Sequence, residues 1–469
     1  VPLFLEELTK SVIESRTHGA QQDGRLVSPL TETQAPLPTT LLGSLTARLH
    51  RIDGAKKVAP VGAAIGRSFS RQLLLSVCDL PESKVANVLD GLVTADLLTQ
   101  FGPDTGITYR FKHSLVQDAA YQTLTKLRRT QLHARIGEAL ESYPPGAKGV
   151  RPETLARHFF LANAHIKSCE YWLRAATEAT RSSAAKEAVA YIEAAIDANR
   201  QTEPDTGQRD REIELREALY VPLQVANWGS SKISSNMERL QELRLARGDV
   251  EELLDILHAQ SGYHIICGNV GKARELAENM LERYEDDIDA RFLALRCIGF
   301  CSFLNGDFDK AISELTEVVC LNEKVNLDRI RKFYQADTKT IVQAMICWAH
   351  AWKRDIDSLK AAAGLVASHV DGSDDRWTNV YALTIVASAY QTIGDADTCC
   401  GYIELARPIA QEIDSDYWMG WLRVLSGWVN AVRDYPAMGI REIEEGIEIY
   451  RSTGSSQTLP YAKTLLAEA

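Results

Sequence analysis

The sequence is poor in aromatic residues and contains no long apolar run. Aromatic residues make up 7% of the 469 residues, and nowhere do about 18 apolar residues follow one another, which is the length that a transmembrane helix needs. Ala, Leu and Glu are plentiful, and all three favour helix over sheet. The composition therefore predicts a mainly α protein that has no membrane among its partners.

Cysteine occurs without a pattern that would indicate disulfides or a metal. The nine cysteines are scattered, and no two of them form a CxxC pair, so we expect a reduced, cytoplasmic compartment. Cys297 and Cys301 share one helix face and are predicted to be small core residues. Cys399 and Cys400 have no cationic neighbour in the sequence that would favour a thiolate. We therefore predict neither a redox pair nor a metal site.

Basic charge is also scarce. The net charge is −11, which argues against a nucleic-acid partner. The first 150 residues carry 17 Lys and Arg against 14 Asp and Glu, so the negative excess lies in the remainder of the chain. That later part is expected to take a basic or apolar partner.

The motifs of catalysis are missing as well. No Gly-x-x-x-x-Gly-Lys-Ser/Thr phosphate loop occurs, and the glycines of residues 268–272 lack its spacing. No Asp-rich metal site and no Ser/His/Asp or Cys/His constellation can be recognised. We predict that the chain itself is not catalytic and holds neither a cofactor nor a metal.

The chain begins with two segments that precede its first predicted domain. Residues 1–16 have the apolar pattern of one amphipathic helix, whereas residues 17–38 are rich in Gly, Gln, Thr and Pro and predict a surface loop. Because the chain starts at Val1, inside that helix, it is interpreted as a piece of a longer protein.

Residues 39–125 combine helical patterns with one β-hairpin. Residues 97–101 and 107–111 are β-type runs on either side of a turn signal. Several helices followed by one hairpin is the order of a winged-helix domain. Such domains often bind DNA, but the helix over residues 81–94 carries no Arg, so a nucleic-acid ligand is not expected.

Residues 126–160 are predicted to be connecting helices. They open with the basic run Lys126-Leu127-Arg128-Arg129. Two interpretations stay open for this run. It is either a solvated helix face or an intramolecular dock for an acidic surface or a nucleotide phosphate.

Turn signals recur through residues 161–469 at a spacing near forty residues. The clearest begin at Gly268, Gly306 and Gly394, and weaker ones begin at Arg354 and Arg433. The apolar patterns on both sides of each turn predict helix pairs, which must stack on neighbouring pairs to bury their faces. The Gly-Asp-x-x-x-Ala turn resembles the tetratricopeptide repeat and implies an α-solenoid. Before these turns, one helix is predicted over residues 176–198.

Four stretches resemble the C-terminal arm of the bacterial STAND signalling ATPases that are linked to class III adenylate or guanylate cyclases. They are residues 1–8 (VPLFLEEL), 62–69 (GAAIGRSF), 110–121 (RFKHSLVQDAAY) and 131–135 (QLHAR). The resemblance implies that residues 1–16 end the lid helix of an ATPase, that 17–38 are a linker and that 39–125 are the winged helix. An upstream ATPase core that binds ATP or ADP would then be a partner of this chain.

The same resemblance implies two nucleotide-sensing residues. Pro2 matches the proline of a Gly-x-Pro element that packs on the adenine, although it would also suit the start of a helix. His113 matches a histidine of the winged helix that reaches the β-phosphate of ADP and locks the inactive state, which suits an imidazole donor. The alternatives for His113 are that it caps the helix starting at Ser114, or that it packs.

Three functions follow as expectations. In the first, the chain is a regulatory arm whose repeats bind an unknown protein or small-molecule inducer and bias closure of the winged helix on the nucleotide. In the second, it is the regulatory region of a transcriptional activator of the maltose-activator type. In the third, the intact protein is a nucleotide cyclase and this region is its non-catalytic part.

Overall fold

The computed structural model describes residues 41–102, 106–143, 150–182, 184–249, 253–333 and 336–469. Within these ranges the chain forms 23 helices and three short strands, which confirms the mainly α class. Two compact units divide the chain, Val1–Trp172 and Leu173–Ala469. Pro2, the predicted lid helix and the predicted loop all lie outside the described residues.

The first unit holds helices and one small sheet. Its elements are α1 (Leu41–Arg51), α2 (Ala55–Ile65), β1 (Ser68–Ser70), α3 (Arg71–Val77), α4 (Glu82–Thr94), β2 (Leu98–Phe101), β3 (Thr108–Phe111), α5 (Ser114–Gln122), α6 (Lys126–Glu141), α7 (Pro152–Leu161) and the first part of α8 (His165–Arg181). The strands pair antiparallel in the order β1-β3-β2. The hairpin predicted from residues 97–101 and 107–111 is therefore confirmed.

Strand β1 was not predicted, because three residues are too few to show an alternating pattern. Its central residue, Phe69, is buried and lies 5.7 Å from the Phe111 ring, so core packing holds the strand in the sheet. Gly62 of α2 permits that packing, since a Cβ there would come within 2.7 Å of the Phe69 ring. Ser70 then starts α3 by accepting a hydrogen bond from the Leu73 amide at 3.1 Å.

The second unit is entirely helical where the structure describes it. After the rest of α8 it contains α9 (Ala185–Arg200), α10 (Thr206–Asn227), α11 (Ser231–Arg247), α12 (Leu254–Ile266), α13 (Val270–Arg283), α14 (Ile288–Leu304), α15 (Phe308–Leu321), α16 (Leu327–Phe333), α17 (Thr338–Trp352), α18 (Ile356–Val370), α19 (Arg376–Ile393), α20 (Ala396–Glu412), α21 (Asp416–Val432), α22 (Pro436–Ser452) and α23 (Leu459–Glu468). The single helix predicted over residues 176–198 is wrong, because α8 ends before α9 begins. Ser182 returns its hydroxyl to the carbonyls of Glu178 and Ala179, which competes with continuation of the helix.

All five predicted repeat turns are confirmed as the connections of helix pairs. The pairs are α12–α13, α14–α15, α17–α18, α19–α20 and α21–α22, and each connection contains one residue in the left-handed region. These residues are Gly268 (φ 74°), Gly306 (81°), Arg354 (60°), Gly394 (84°) and Asp434 (69°). In the fifth turn the left-handed residue lies one position after the predicted start. The second unit is thus a tetratricopeptide-like solenoid.

The two helices of a pair are buried to different extents. In α14 every residue from Phe292 to Phe303 is buried, whereas α15 buries only a stripe of Ala311, Leu315 and Val318. First helices therefore form an inner layer that is buried over most of its surface, and second helices form an outer layer with one face in solvent. Because of this layering, the side chains that meet at the centre of the unit come from the inner faces of the first helices.

Candidate functional site

His113 lies where β3 passes into α5, as its place after a strand predicted. It is half-buried, and its backbone (φ −128°, ψ 146°) is extended. The residue occupies the cap position of α5, but its side chain makes no capping hydrogen bond, so capping by the imidazole is wrong. Contact with a nucleotide phosphate stays a prediction for His113, as does contact with adenine for Pro2.

The cations next to His113 are engaged within the first unit. Arg110 donates from Nε to the Ser68 hydroxyl at 3.0 Å, and its guanidinium lies 5.0 Å from the centre of the Phe101 ring. Lys112 forms an ion pair with Asp96. Both side chains therefore tie the β-hairpin to its surroundings.

The basic run at the start of α6 has an intramolecular acidic partner. Arg128 and Arg135 contact the Asp79 carboxylate at 3.1 and 2.8 Å, and their hydrogen bonds lower the pKa of that carboxyl. Arg129 instead places its guanidinium 4.5 Å from the centre of the Tyr121 ring. Lys126, Leu127 and Arg128 are exposed, as a solvated helix face requires, and the intramolecular acidic contact of the run is one ion pair at the surface.

Of the four cysteines singled out in the sequence, three are buried in helices, whereas Cys400 is half-buried and lies 3.7 Å from the Arg433 guanidinium. Cys297, Cys301 and Cys399 are buried, and burial raises the pKa of Cys301 and of Cys399 to about 12. Such thiols stay protonated, which confirms the core prediction for the pair in α14. Among the described residues no three His, Cys, Asp or Glu side chains are grouped so that they could hold a metal ion.

The most distinctive surface of the second unit, which no motif in the sequence indicated, is a small cavity at which all five first helices meet. The cavity measures about 30 Å³, which is room for about one water molecule. Its walls come from α12, α14, α17, α19 and α21, together with residues 457 and 458 from beyond the last pair. The aromatic residues among them are Phe300, Phe303, Trp348, Tyr381, Tyr417, Trp418 and Trp421.

One segment of the chain covers this cavity. We call residues 453–468 the strap; it comprises the turn after α22 and helix α23. The amides of Ser456 and Gln457 donate to the Ile266 carbonyl at 3.0 and 3.1 Å, and the Ser456 hydroxyl donates to the Cys267 carbonyl at 2.6 Å. Gln457 then donates from Nε2 to the Tyr417 hydroxyl at 2.7 Å. The strap thus connects the first helix pair of the solenoid to the last.

Tyr461 inserts from the strap among three tryptophans. Its ring centre lies 5.6 Å from Trp348, 5.9 Å from Trp352 and 5.8 Å from Trp421. We call these three indoles the tryptophan cage. The Tyr461 hydroxyl donates to the Gln391 side-chain carbonyl, and burial raises the pKa of that phenol. The cage therefore packs around the aromatic ring of Tyr461, while Gln391 accepts a hydrogen bond from its hydroxyl.

A second aromatic group borders the cage. Trp228, at the end of α10, lies 5.5 to 6.0 Å from the rings of Trp377, Tyr381 and Tyr417. Five of the eight tryptophans of the chain belong to these two groups. The signal in the sequence was their placement, since tryptophans recur in the first helix of successive pairs while the second helices have none.

Comparisons with known proteins find similarity but no family. No family model matches the chain. An uncharacterised protein of Rhizobium meliloti is 27% identical over 211 residues, which are 44% of this chain and 20% of that protein. The matched region therefore spans about a fifth of the length of this curated relative.

Two solved structures are similar to parts of this chain. A tetratricopeptide repeat protein from Parabacteroides merdae matches 64% of this chain and 98% of its own, with a TM-score of 0.39 and 14% identity. A signal-transduction ATPase with numerous domains and a tetratricopeptide repeat sensor, from Pyrococcus horikoshii, matches 89% of this chain and 66% of its own, with a TM-score of 0.35 and 12% identity. Both TM-scores are below 0.5. The assignment of a repeat architecture to the second unit therefore depends on its own helix pairs and not on these two structures. Within the described ranges, no helix combines the length and the apolar character needed to cross a bilayer.

Proposed function

We propose that the chain is the non-catalytic regulatory arm of a signal-transducing ATPase. Its second unit binds a partner protein or an inducer, and its first unit is a winged helix that senses whether ADP or ATP is bound. The observation that carries this proposal is the convergence of five first helices on one aromatic inner face. A repeat array needs only its neighbouring repeats for its core, so a shared inner face of this kind is suited to recognition.

The element order of the first unit supports the sensing role. Helix α2 and strand β1 precede two helices and a β-hairpin, as in a winged helix, and His113 follows the last strand directly. Its side chain makes no cap hydrogen bond with α5, so capping does not compete with donation from the imidazole to a phosphate. The intact protein is proposed to carry a class III nucleotide cyclase as its output, with this chain as the part that controls it.

Nucleotide-dependent stability of a longer protein tests the proposal. The protein extended upstream through the ATPase core is melted with and without ADP, as wild type and as His113→Ala. A ligand at a hundredfold excess over its Kd stabilises the state it binds by about 2.7 kcal/mol. We expect ADP to raise the Tm of the wild type and to raise that of His113→Ala much less.

His50→Ala is the control, because His50 is an exposed histidine of the same unit, in α1. It should respond to ADP as the wild type does. Equal ADP shifts in all three proteins would show that His113 has a structural role and would remove the sensing part of the proposal.

A further inference from the structure

The strap occupies the inner face in the way a bound segment of another protein would. Its contacts run from Ile266 in the first helix pair to Tyr417 in the last, so it crosses the unit rather than extending the solenoid by one more pair. Its polar contacts reach the Ile266 and Cys267 carbonyls at one end, the Tyr417 hydroxyl, and the side chains of Gln391 and Thr392 at Tyr461. Ala462 and Leu465 of α23 are buried as well, so release of the strap breaks these contacts and uncovers apolar side chains.

The start of the strap has the composition of a hinge. Residues 453–456 read Thr-Gly-Ser-Ser, and Gly454 is in the left-handed region with φ 76°. Gly454 also passes directly over Gly229, where a Cβ on Gly229 would come within 2.4 Å of the Ser455 amide. Beyond the hinge, α23 has ten residues, and a helix of that length is marginal by itself in water. Release of the strap therefore requires the melting of a short helix together with the exposure of Ala462 and Leu465, which are buried.

The strap leaves a cavity and an unpaired hydrogen-bond donor in the surface that it covers. The cavity of about 30 Å³ stays between Gln457 of the strap and the first helices. Trp418, a wall of that cavity, is 1% exposed, and its indole N–H has no hydrogen-bond partner in the part of the chain that the structure describes. Buried donors are normally paired. An occupant that places an acceptor at this indole would fit the face better than the strap does.

The tryptophan cage determines which kind of side chain such an occupant must carry. Three indoles favour an aromatic ring, and Gln391 accepts a hydrogen bond from the ring's polar tip. A tyrosine meets both requirements, whereas a phenylalanine leaves the Gln391 acceptor without this donor. The residues after 150 also carry the negative excess of the chain, which favours basic neighbours for that tyrosine.

We propose that the strap is an exchangeable intramolecular occupant of the inner face, and that the partner which displaces it is a protein segment presenting a tyrosine with basic neighbours to the tryptophan cage. This inference rests on the proposed function for the statement that the second unit binds a partner. Beyond that function, it identifies where the partner binds, which side chains the partner presents and which segment of the chain the partner displaces.

Binding of labelled peptides to the chain tests the exchange. One peptide has the sequence of residues 453–469, a second has alanine in place of its tyrosine, and a third has lysines on both sides of the tyrosine. Tyr461→Ala is expected to increase the fraction of chains with an open face, and the apparent Kd is inversely proportional to that fraction. We expect Tyr461→Ala to bind the first peptide about tenfold more tightly than the wild type does, and the third peptide more tightly still.

Tyr435→Ala is the matched control, because Tyr435 is a tyrosine that is 62% exposed and remote from the cage. It should bind the peptides as the wild type does. Equal binding of the tyrosine and alanine peptides, or no gain for Tyr461→Ala, would overturn the proposal.

Hydrogen exchange on the wild-type chain gives a second readout that does not depend on a variant folding. The amides of Ser456 and Gln457, which donate to the Ile266 carbonyl, should exchange through a local opening, well before the amides within α21. Exchange of both sets only by global unfolding would show that the strap is a fixed part of the core and would overturn the proposal. Both measurements use this chain without nucleotide, so their outcome is separate from that of the ADP experiment.

Discussion

His133 and His158 join their Nδ1 atoms in one hydrogen bond of 2.9 Å, and only one of the two rings can be its donor. His158 also forms a hydrogen bond with the backbone of Ile65, and a His158 tautomer that carries its proton on Nε2 accepts at Nδ1 from His133. The Nε2 of His133 then accepts from the Tyr121 hydroxyl at 2.8 Å. Every donor in this chain of bonds meets an acceptor only while both imidazoles are neutral.

These hydrogen bonds also explain why separate stretches of the first unit belong together. Ile65 ends α2, Tyr121 lies in α5, and His133 and His158 lie in α6 and α7. Three of the four stretches on which the resemblance to the signalling ATPases rests contribute one of these residues each. The resemblance thus follows a physical junction at which the helices after the hairpin attach to α2.

The histidine junction predicts a loss of stability in mild acid. Burial lowers the pKa of both imidazoles, so the folded state binds fewer protons than the unfolded state, whose histidine pKa is about 6.5. The contribution is complete above about pH 6.5 and is lost as the pH falls below it, by about 1.4 kcal/mol per pH unit for each ring. Urea unfolding of the wild type at pH 7.5 and pH 5.5 measures this loss.

The double variant His133→Asn, His158→Asn separates this junction from the other buried histidines. Its stability should be lower than that of the wild type at pH 7.5 but should fall less between pH 7.5 and pH 5.5. If the wild type and the double variant lose the same free energy of unfolding over this range, the junction is not the group that titrates.

Arg354 and Gly306 occupy equivalent positions in two turns of the solenoid, and substitutions at these positions are predicted to change the free energy of unfolding in opposite directions. Arg354 has φ 60°, a conformation that costs an L-residue about 1–2 kcal/mol. Arg354→Gly should therefore raise the free energy of unfolding by about 0.5–1 kcal/mol, since relief of strain exceeds the entropy that glycine adds to the unfolded chain.

Gly306→Arg is the reverse exchange in a neighbouring turn. Gly306 has φ 81°, and a Cβ there would meet no atom within 4 Å, so only backbone strain is introduced. A loss of about 1 kcal/mol is expected. Thermal unfolding followed by far-UV circular dichroism measures both changes, and two shifts of the same sign would contradict the assignment of strain.

The sequence predicted what is determined by local chemistry. Gly268, Gly306 and Gly394 marked helix-pair turns because few other residues adopt a left-handed backbone without strain, and the polar residues after them suit helix starts. It could not predict the tryptophan cage, because Trp348, Trp421 and Tyr461 are far apart in the chain and only the stacking of helix pairs brings them together. The three-residue strand β1 was missed for the same reason, since Phe69 is held there by its tertiary contacts and not by a local pattern.

The last helix pair depends on glycines for its close approach. In α21, a Cβ on Gly427 would come within 2.6 Å of the Gly439 carbonyl oxygen of α22, and backbone cannot yield at that distance. Gly427→Ala is expected to lower the free energy of unfolding by about 2 kcal/mol or more, as overpacking of a core does. Tryptophan fluorescence during urea unfolding reports it, because Trp421 and Trp428 lie in α21.

Gly364→Ala is its control in α18, where a Cβ would meet nothing within 4 Å. There the better helix propensity of alanine is expected to stabilise the protein by about 0.5–1 kcal/mol. A Gly427→Ala protein as stable as Gly364→Ala would show that the pair can separate without cost.

Removal of the Tyr461 hydroxyl is predicted to lower the free energy of unfolding. Tyr461→Phe keeps the ring among Trp348, Trp352 and Trp421 but removes the donor to the Gln391 side-chain carbonyl. Gln391 is 5% exposed, so its oxygen then lacks this donor away from solvent, and the expected loss in the free energy of unfolding is about 1–3 kcal/mol. Tyr435→Phe, the control, removes a hydroxyl from a residue that is 62% exposed and should change stability by less than about 0.5 kcal/mol.

Urea unfolding followed by tryptophan fluorescence compares the stabilities of the Tyr461→Phe and Tyr435→Phe variants. Equal stability of both variants would mean that the cage holds Tyr461 by its ring alone, and a phenylalanine would then serve a partner as well as a tyrosine.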